Sequence, residues 1–327
     1  MKNGKKKVFA SVFIAVALIA AITVCIGYVY VRKADQGQTK EQKQGFKLND
    51  DGTVTLGLGY SAHGFFTTDG NLVNSGDDIL CEDGYIRGQI EFQKNLTEPM
   101  EYGLIIMNDF MQKKFAVDNE WFDCYRFSLS GNGTIKIAVE VPVEDNAYEM
   151  EYLIVPEPDA KNFSMDNESG WHNFLATKEV SVSSYRITDK TGKRRVPPVF
   201  DQIDTEKLEE LESEGNTGFE LVKSSKDVSA FASAKSGSHA CMCLGSMRKE
   251  VDAYAVIAFC DWKQTEITKG QWVRCYTSVP DKNYFEEIIL PNEQEDAVYQ
   301  MFAFELPIES RLKTLVYQTF RIKLERS

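Results

Sequence analysis

His239, Cys241 and Cys243 stand two residues apart in the run HACMC. On a strand, residues two apart share a face, so these three side chains point the same way. An imidazole and two thiolates form the N/S donor set that zinc or Cu(I) prefers, and Cys260 would be a fourth ligand if the neighbouring strand aligned it. The preferred alternative is that the thiols pack as small hydrophobes in a second buried layer, because Cys-x-Cys carries little information by itself. No cofactor is assigned on this cluster.

Other chemistry is sparse. A nucleophilic Ser or Cys needs a base, and the chain offers only His63, His172 and His239. There is no Gly-x-Ser-x-Gly elbow. Gly131-Asn132-Gly133 signals a turn and not a phosphate loop, since no Lys-Ser/Thr and no helical pattern follow it. No Asp-x-Asp-x-Asp calcium loop is present. Paired carboxylates on either side of a cleft would make a glycosidase, but sequence spacing does not reveal them. The expectation is therefore a binding protein without catalysis, with a carbohydrate-active or other hydrolytic ectodomain as the alternative.

Trp121 and Trp272 are the candidate binding residues, as platforms for a sugar ring, although core packing is the preferred reading for a Trp ahead of a Cys-Tyr strand. Asp109 and Asp261, each followed by an aromatic, read as strand-end residues making local turn bonds. Six cysteines lie beyond residue 31, at 81, 124, 241, 243, 260 and 275, and are expected as mostly reduced, partly buried thiols. Asn95, Asn132, Asn162 and Asn167 occupy Asn-x-Ser/Thr sequons, which matter only in a eukaryotic secretory path.

The elements that must carry these residues are strands. Alternations such as Tyr85-Ile86-Arg87-Gly88-Gln89-Ile90-Glu91-Phe92, with Asp-Gly at 51–52, 69–70 and 83–84, predict short strands and hairpin turns. The chain also resembles itself. Tyr102–Gln112, YGLIIMNDFMQ, recurs 152 residues later as Tyr254–Gln264, YAVIAFCDWKQ. Trp121-x-x-Cys124-Tyr125 and Trp272-x-x-Cys275-Tyr276 then match at a spacing of 151, as do Tyr148, Met150 and Pro156 with Tyr299, Met301 and Pro307. At the 152-residue spacing Ala240, Met242 and Leu244 align with Gly88, Ile90 and Phe92, which makes them the core face. The fold class predicted is all-β: two tandem, internally duplicated β-sandwich domains of immunoglobulin-like or jelly-roll type. Their boundaries fall at 46–196 and 217–327, and a Pro-rich linker at 197–216 contains a short acidic helix, DTEKLEELESEG. Each copy is expected to fold independently around its own core.

Residues 8–31, VFASVFIAVALIAAITVCIGYVYV, carry no charge, and as a helix they span ~36 Å, enough for a ~30 Å hydrocarbon core. Residues 1–7 hold four lysines, so the N-terminus is expected in the cytoplasm and everything past the 32–45 stalk outside it. A cleaved signal peptide is the alternative. Residues 1–33 contain six of the 37 Lys and Arg and none of the 49 Asp and Glu, leaving 31 − 49 = −18 for the remainder. Such an acidic ectodomain suits no nucleic acid, whose phosphates require clustered cations. The partner expected is a cell-surface protein or glycan, met from the membrane through residues 8–31.

Overall fold

The computed structural model describes residues 46–48, 54–56, 61–161, 180–193, 195, 202–204, 209–210, 219–224, 226–245, 252–278, 283–306 and 316–326. Residues 8–31, the 32–45 stalk, His172, Asn162 and Asn167 lie outside them. No helix among the described residues is long and apolar enough to cross a membrane. The architecture is all-β, in several sheets.

The first unit contains β1 (Phe46–Leu48), β2 (Val54–Leu56), β3 (Ser61–Thr67), β4 (Leu72–Val73), β5 (Asp78–Leu80), β6 (Tyr85–Asn95), β7 (Met100–Asn108), β8 (Met111–Lys113), β9 (Phe115–Val117), β10 (Glu120–Phe122), β11 (Tyr125–Leu129), β12 (Asn132–Pro142), β13 (Glu149–Pro156) and β14 (Ser181–Thr188). Its outer sheet has the order β10-β9-β12-β6-β3-β4, and its inner sheet the order β11-β7-β13-β14-β5, with β8 paired to β7. Among the described residues, strands β1 and β2 pair only with each other.

The second unit contains β15 (Gln202–Asp204), β16 (Glu209–Glu210), β17 (Phe219–Ser224), β18 (Asp227–Ala230), β19 (Ser233–Lys235), β20 (His239–Gly245), β21 (Asp252–Cys260), β22 (Lys263–Thr265), β23 (Val273–Ser278), β24 (Asn283–Ile289), β25 (Ala297–Leu306), β26 (Val316–Gln318) and β27 (Ile322–Glu325). Its inner sheet runs β15-β23-β21-β25-β27-β19, with β22 on β21 and β26 on β25, and its outer sheet runs β16-β24-β20-β17-β18. Both inner sheets close with a parallel edge strand, β5 along β14 and β19 along β27.

Among the described residues three large apolar cores hold the four larger sheets in layers. The first lies between outer and inner sheets of the first unit and gathers Phe65, Ile90, Phe92, Tyr102, Leu104 and Tyr152. Gly88 belongs to this packing, because the Phe65 ring occupies the space a Cβ there would need. The second core does the same in the second unit around Ala240, Met242, Leu244, Tyr254, Val256 and Tyr299, so the core face expected for β20 is the one observed. The third lies between the two inner sheets and joins Ile105, Met107, Phe110 and Leu153 to Ile257, Trp262, Phe302 and Phe304. An inner sheet is therefore buried on both faces, so β13 is buried along its whole length and β25 along almost all of it, including Glu149, Glu151 and Gln300, whereas β6 alternates buried and more exposed positions.

Two expectations are corrected. The acidic stretch 204–215 was expected to be a helix, yet β15 and β16 fall in and beside it. Backbone groups on the free edges of β23 and β24 offer ladder partners that outcompete a short helix. Independence of the two units is limited as well, since the third core belongs to both.

The shared core predicts one cooperative unfolding transition for the whole β region, followed by calorimetry. Phe304→Ala, which removes the ring 5.2 Å from Phe110, should lower stability by about 3–5 kcal/mol and shift that single transition. Residues 217–327 expressed alone should bind a hydrophobic dye and aggregate, because the inner sheet loses its cover. Two separate transitions in the full chain would contradict this.

Candidate functional site

The sulfur and imidazole cluster comes apart when placed on the sheets. Cys241 and Cys243 lie on the outward side of β20, buried with Val222 and partly with Phe285. His239, at the exposed start of β20, pairs with Glu287 at 2.5 Å, where both side chains face water. Cys260 belongs to the other sheet, on β21, and is buried in the second core with its thiol directed at Glu293 Oε1 at 3.6 Å. Its expected place as a fourth ligand is thus corrected: the strand beside β20 is β24 on one side and β17 on the other, not β21. Among the described residues no group of three His, Cys, Asp or Glu side chains could hold a metal ion.

The thiols have the electrostatics of packed groups. Burial, with Cys241 and Glu220 nearby, pushes Cys243 up to about 12; burial and Glu293 do the same to Cys260, and burial alone to Cys275. A thiol held this far from ionisation is a poor nucleophile at neutral pH. None of the six described cysteines forms a disulfide.

Trp121 and Trp272 are solvent-facing, at 51% and 40% exposure, which corrects the expectation of core packing. Trp121 follows Glu120, which pairs with Val117, and Trp272 follows Gln271, which bridges to Thr268. Trp121 lies on β10, opposite Ala116 of β9 in the outer sheet, whereas Trp272 immediately precedes β23 of an inner sheet. Tyr102 faces Phe127 across the ladder and Tyr254 faces Tyr276, so Phe127, and not Tyr125, occupies the place of Tyr276. Cys124 and Cys275 are correspondingly two positions out of step, though both border the third core.

The Asp-aromatic pairs sit at the centre of that seam. Asp109 and Phe110 have φ of 49° and 66°, and Asp261 and Trp262 have φ of 45° and 64°, the left-handed pair of a tight hairpin turn. The bonds reach further than the local ones expected. Asp109 Oδ1 accepts the N–H of Glu149 at 2.9 Å, and Asp261 Oδ1 that of Val298 at 2.8 Å, each fastening the turn to the start of the neighbouring strand.

Sequence reasoning matched Gln112 with Gln264 but assigned them no role. The N–H of Gln112 donates to Gln264 Oε1 at 2.7 Å, and the N–H of Gln264 donates to Gln112 Oε1 at 2.6 Å. Gln112 Nε2 donates to the carbonyls of Asp123 (3.0 Å) and Trp262 (2.8 Å); Gln264 Nε2 donates to those of Phe110 (2.9 Å) and Trp272 (3.3 Å). Each amide is saturated from both units. Beside them Arg321 is buried, its guanidinium 4.8 Å from the Trp262 ring and donating to the carbonyls of Pro156 (2.7 Å) and Glu157 (3.0 Å). Burial lowers it to about 10, leaving it charged at neutral pH. A basic residue in the sequence carries no mark of burial, so nothing in the pattern singled it out.

A second polar node lies in the first core. His63 Nδ1 is 2.8 Å from the Tyr152 hydroxyl and 3.4 Å from Ser183 Oγ. Burial lowers His63 to about 4 and raises Tyr152, so the imidazole is neutral and the phenol protonated. The node joins β3 of the outer sheet to β13 and β14 of the inner one.

No family model matches the chain, and no curated protein matches it in sequence. Among solved structures it is similar to the C-terminal domain of the AgI/II polypeptide BspA of Streptococcus agalactiae (6% identity, TM-score 0.23, 81% of this chain and 100% of that one). It is also similar to the E. coli chaperone DraB (9%, 0.24, 82% and 97%). A third likeness is to red sea bream transglutaminase, at 7% identity and TM-score 0.22, covering 75% of this chain but only 29% of that enzyme.

Two outcomes follow. Native protein at pH 8 should leave Cys241, Cys243, Cys260 and Cys275 unmodified by iodoacetamide, with all four labelled in denaturant; rapid native labelling would refute their burial. The folded pKa of His63, about 4, lies below its unfolded value of 6.5, so between these pH values the unfolded chain binds more protons. Its contribution is complete above about pH 6.5 and is lost as pH falls towards 4, by at most about 3 kcal/mol. In His63→Gln that part of the acid dependence, followed by denaturant unfolding, should disappear.

Proposed function

We propose that the chain is a membrane-anchored, extracytoplasmic interaction protein, without catalysis, whose tandem β-sandwich units arose by internal duplication and meet a protein or glycan at the cell surface. The observation that carries the binding reading is the exposure of Trp121 and Trp272 in a structure whose three cores are already filled by other aromatics. Two indoles left in water contribute little to stability, and exposed Trp is the residue type most enriched at binding hot spots.

Duplication is supported by the common strand order of β11-β7-β13-β14-β5 and β23-β21-β25-β27-β19, including the parallel last strand. It is further supported by the two positive-φ turns and by the paired glutamines behind them. The membrane anchor and outward orientation rest on the uncharged run 8–31 and the lysines before it.

Full-length protein in detergent, screened against a panel of cell-surface glycans and membrane proteins, should show a ligand whose affinity falls about 10-fold to 100-fold in Trp121→Ala or Trp272→Ala. Unfolding midpoints should stay within about 0.5 kcal/mol of the parent. A ligand insensitive to both substitutions would overturn the role given to these residues. Protease added to spheroplasts should degrade the chain beyond residue 44; protection of the C-terminal unit would overturn the orientation.

A further inference from the structure

The two inner sheets have the same strand order and different outer edges. β15 runs parallel along β23, with Gln202 opposite Cys275, Ile203 opposite Tyr276 and Asp204 opposite Thr277. β11, in the corresponding position of the first unit, pairs with β7 and with no other strand among the described residues. The physical reason lies in the hairpin β9-β10. It pairs onto β12 through Ala116 and Glu140, on the side where β24 carries β16. In the second unit the segment ahead of the first long strand supplies one strand to each sheet; in the first unit that place is taken, and the segment ahead of β3 pairs with itself as β1 and β2.

We propose that the edge of β11 opposite β7, unpaired among the described residues, binds an extended peptide segment of a partner protein, aligned parallel to β11 as β15 is to β23. A row of unpaired N–H and C=O groups is a template for strand addition, and folds that avoid it place Pro, Lys or inward charge on the edge. β11, YRFSL, has no Pro and one charge. That charge is engaged: Arg126 pairs with Asp159 at 2.9 Å and donates to the Cys124 thiol. On the core side Tyr125 stacks on Phe127 and meets Phe122 edge-on, so the flank of the edge is aromatic. On the other side stand Arg126 and Ser128, the latter bonded to Glu101. The segment that fits alternates apolar side chains, lying against Tyr125 and Phe122, with polar ones beside Arg126 and Ser128. This deepens the binding reading by naming the partner's chemistry, and it uses neither Trp121 nor Trp272, so the two can fail separately.

The probe is a synthetic peptide of residues 199–206, VFDQIDTE, the segment containing β15 that the same fold accepts at the corresponding edge. Added to the full chain in detergent at up to about 1 mM, it should bind saturably. It should slow amide exchange within residues 125–129 at least about 10-fold and leave residues 273–278, already paired, unchanged. N-methylation at alternate peptide positions should abolish binding while the intervening positions tolerate it, because an added strand bonds the edge through every second residue. Three results would overturn the proposal: exchange at 125–129 already as slow as at 273–278 without peptide, which would mean the chain closes its own edge; no change at the highest concentration; or loss of binding without the alternating pattern. Loss of ligand in Trp121→Ala or Trp272→Ala with unchanged peptide binding would support the surface reading alone and leave the edge as a separate site.

Discussion

Gln112 and Gln264 fix how the two units can meet. A primary amide in an apolar seam must satisfy two donors and an acceptor, or it costs about 1–3 kcal/mol for each group left unpaired. These two do so by reading each other's backbone and the carbonyls of each other's turns. A slip of one residue along either inner sheet would strand several groups at once. Apolar contacts such as Phe110 with Phe304 supply most of the attraction in the third core, but they tolerate sliding. The amides impose the register.

The amides hold that position only because the turns before them are rigid. Asp109-Phe110 and Asp261-Trp262 both adopt left-handed backbone, which costs an L-residue free energy unless the surroundings fix it. The aspartate carboxylates provide the fixing, by accepting N–H groups from the adjacent strands. The turn thereby aims Phe110 and Trp262 into the seam and places β8 and β22 side by side. Trp262 then meets a further demand, since its indole N–H donates to the Pro158 carbonyl at 2.5 Å while its face carries the Arg321 guanidinium.

Much of this was legible in the sequence. Alternation in Tyr85–Phe92 located β6 and its core face, and the same spacing carried that face to Ala240, Met242 and Leu244. The recurrence of Ile, Asp and Gln between Tyr102–Gln112 and Tyr254–Gln264 marked residues that stand at the seam, while the recurring Tyr102 and Tyr254 fill the first and second cores. What failed to show were relations between faces. The apolar stretches Tyr152–Val155 of β13 and Met301–Phe304 of β25 signal strands covered on both sides, yet a run alone does not say what covers them, so sequence reasoning gives each copy a single core. Matching Trp-x-x-Cys-Tyr aligned letters where the ladder aligns Phe127 with Tyr276. Cys260 could be placed near Cys241 only by knowing which strands are neighbours. The exposure of Trp121 follows from the β9-β10 hairpin, reduced in the second unit to the bridge between Thr268 and Gln271 ahead of the equally exposed Trp272, and sequence matching alone does not say that such a hairpin stands away from the cores.

Arg321 sharpens the point about specificity. Desolvating a guanidinium costs several kcal/mol even after relaxation, and this one is met by two carbonyls, the Gln300 side chain at 3.2 Å and an indole face, with no ion pair among the described residues. Neutral partners recover less than an ion pair would, so the site is a poor source of net stability. Its value lies in the difference between right and wrong docking. Pro156 and Glu157 belong to the first unit and Arg321 to the second, and in any other alignment the charge would be buried against apolar side chains of the third core. The penalty for misdocking then exceeds the stabilisation of correct docking. An interface made mainly of interchangeable Phe, Ile and Val contacts thereby acquires one orientation, which is the condition for the surface residues of the two units to act at fixed positions relative to each other.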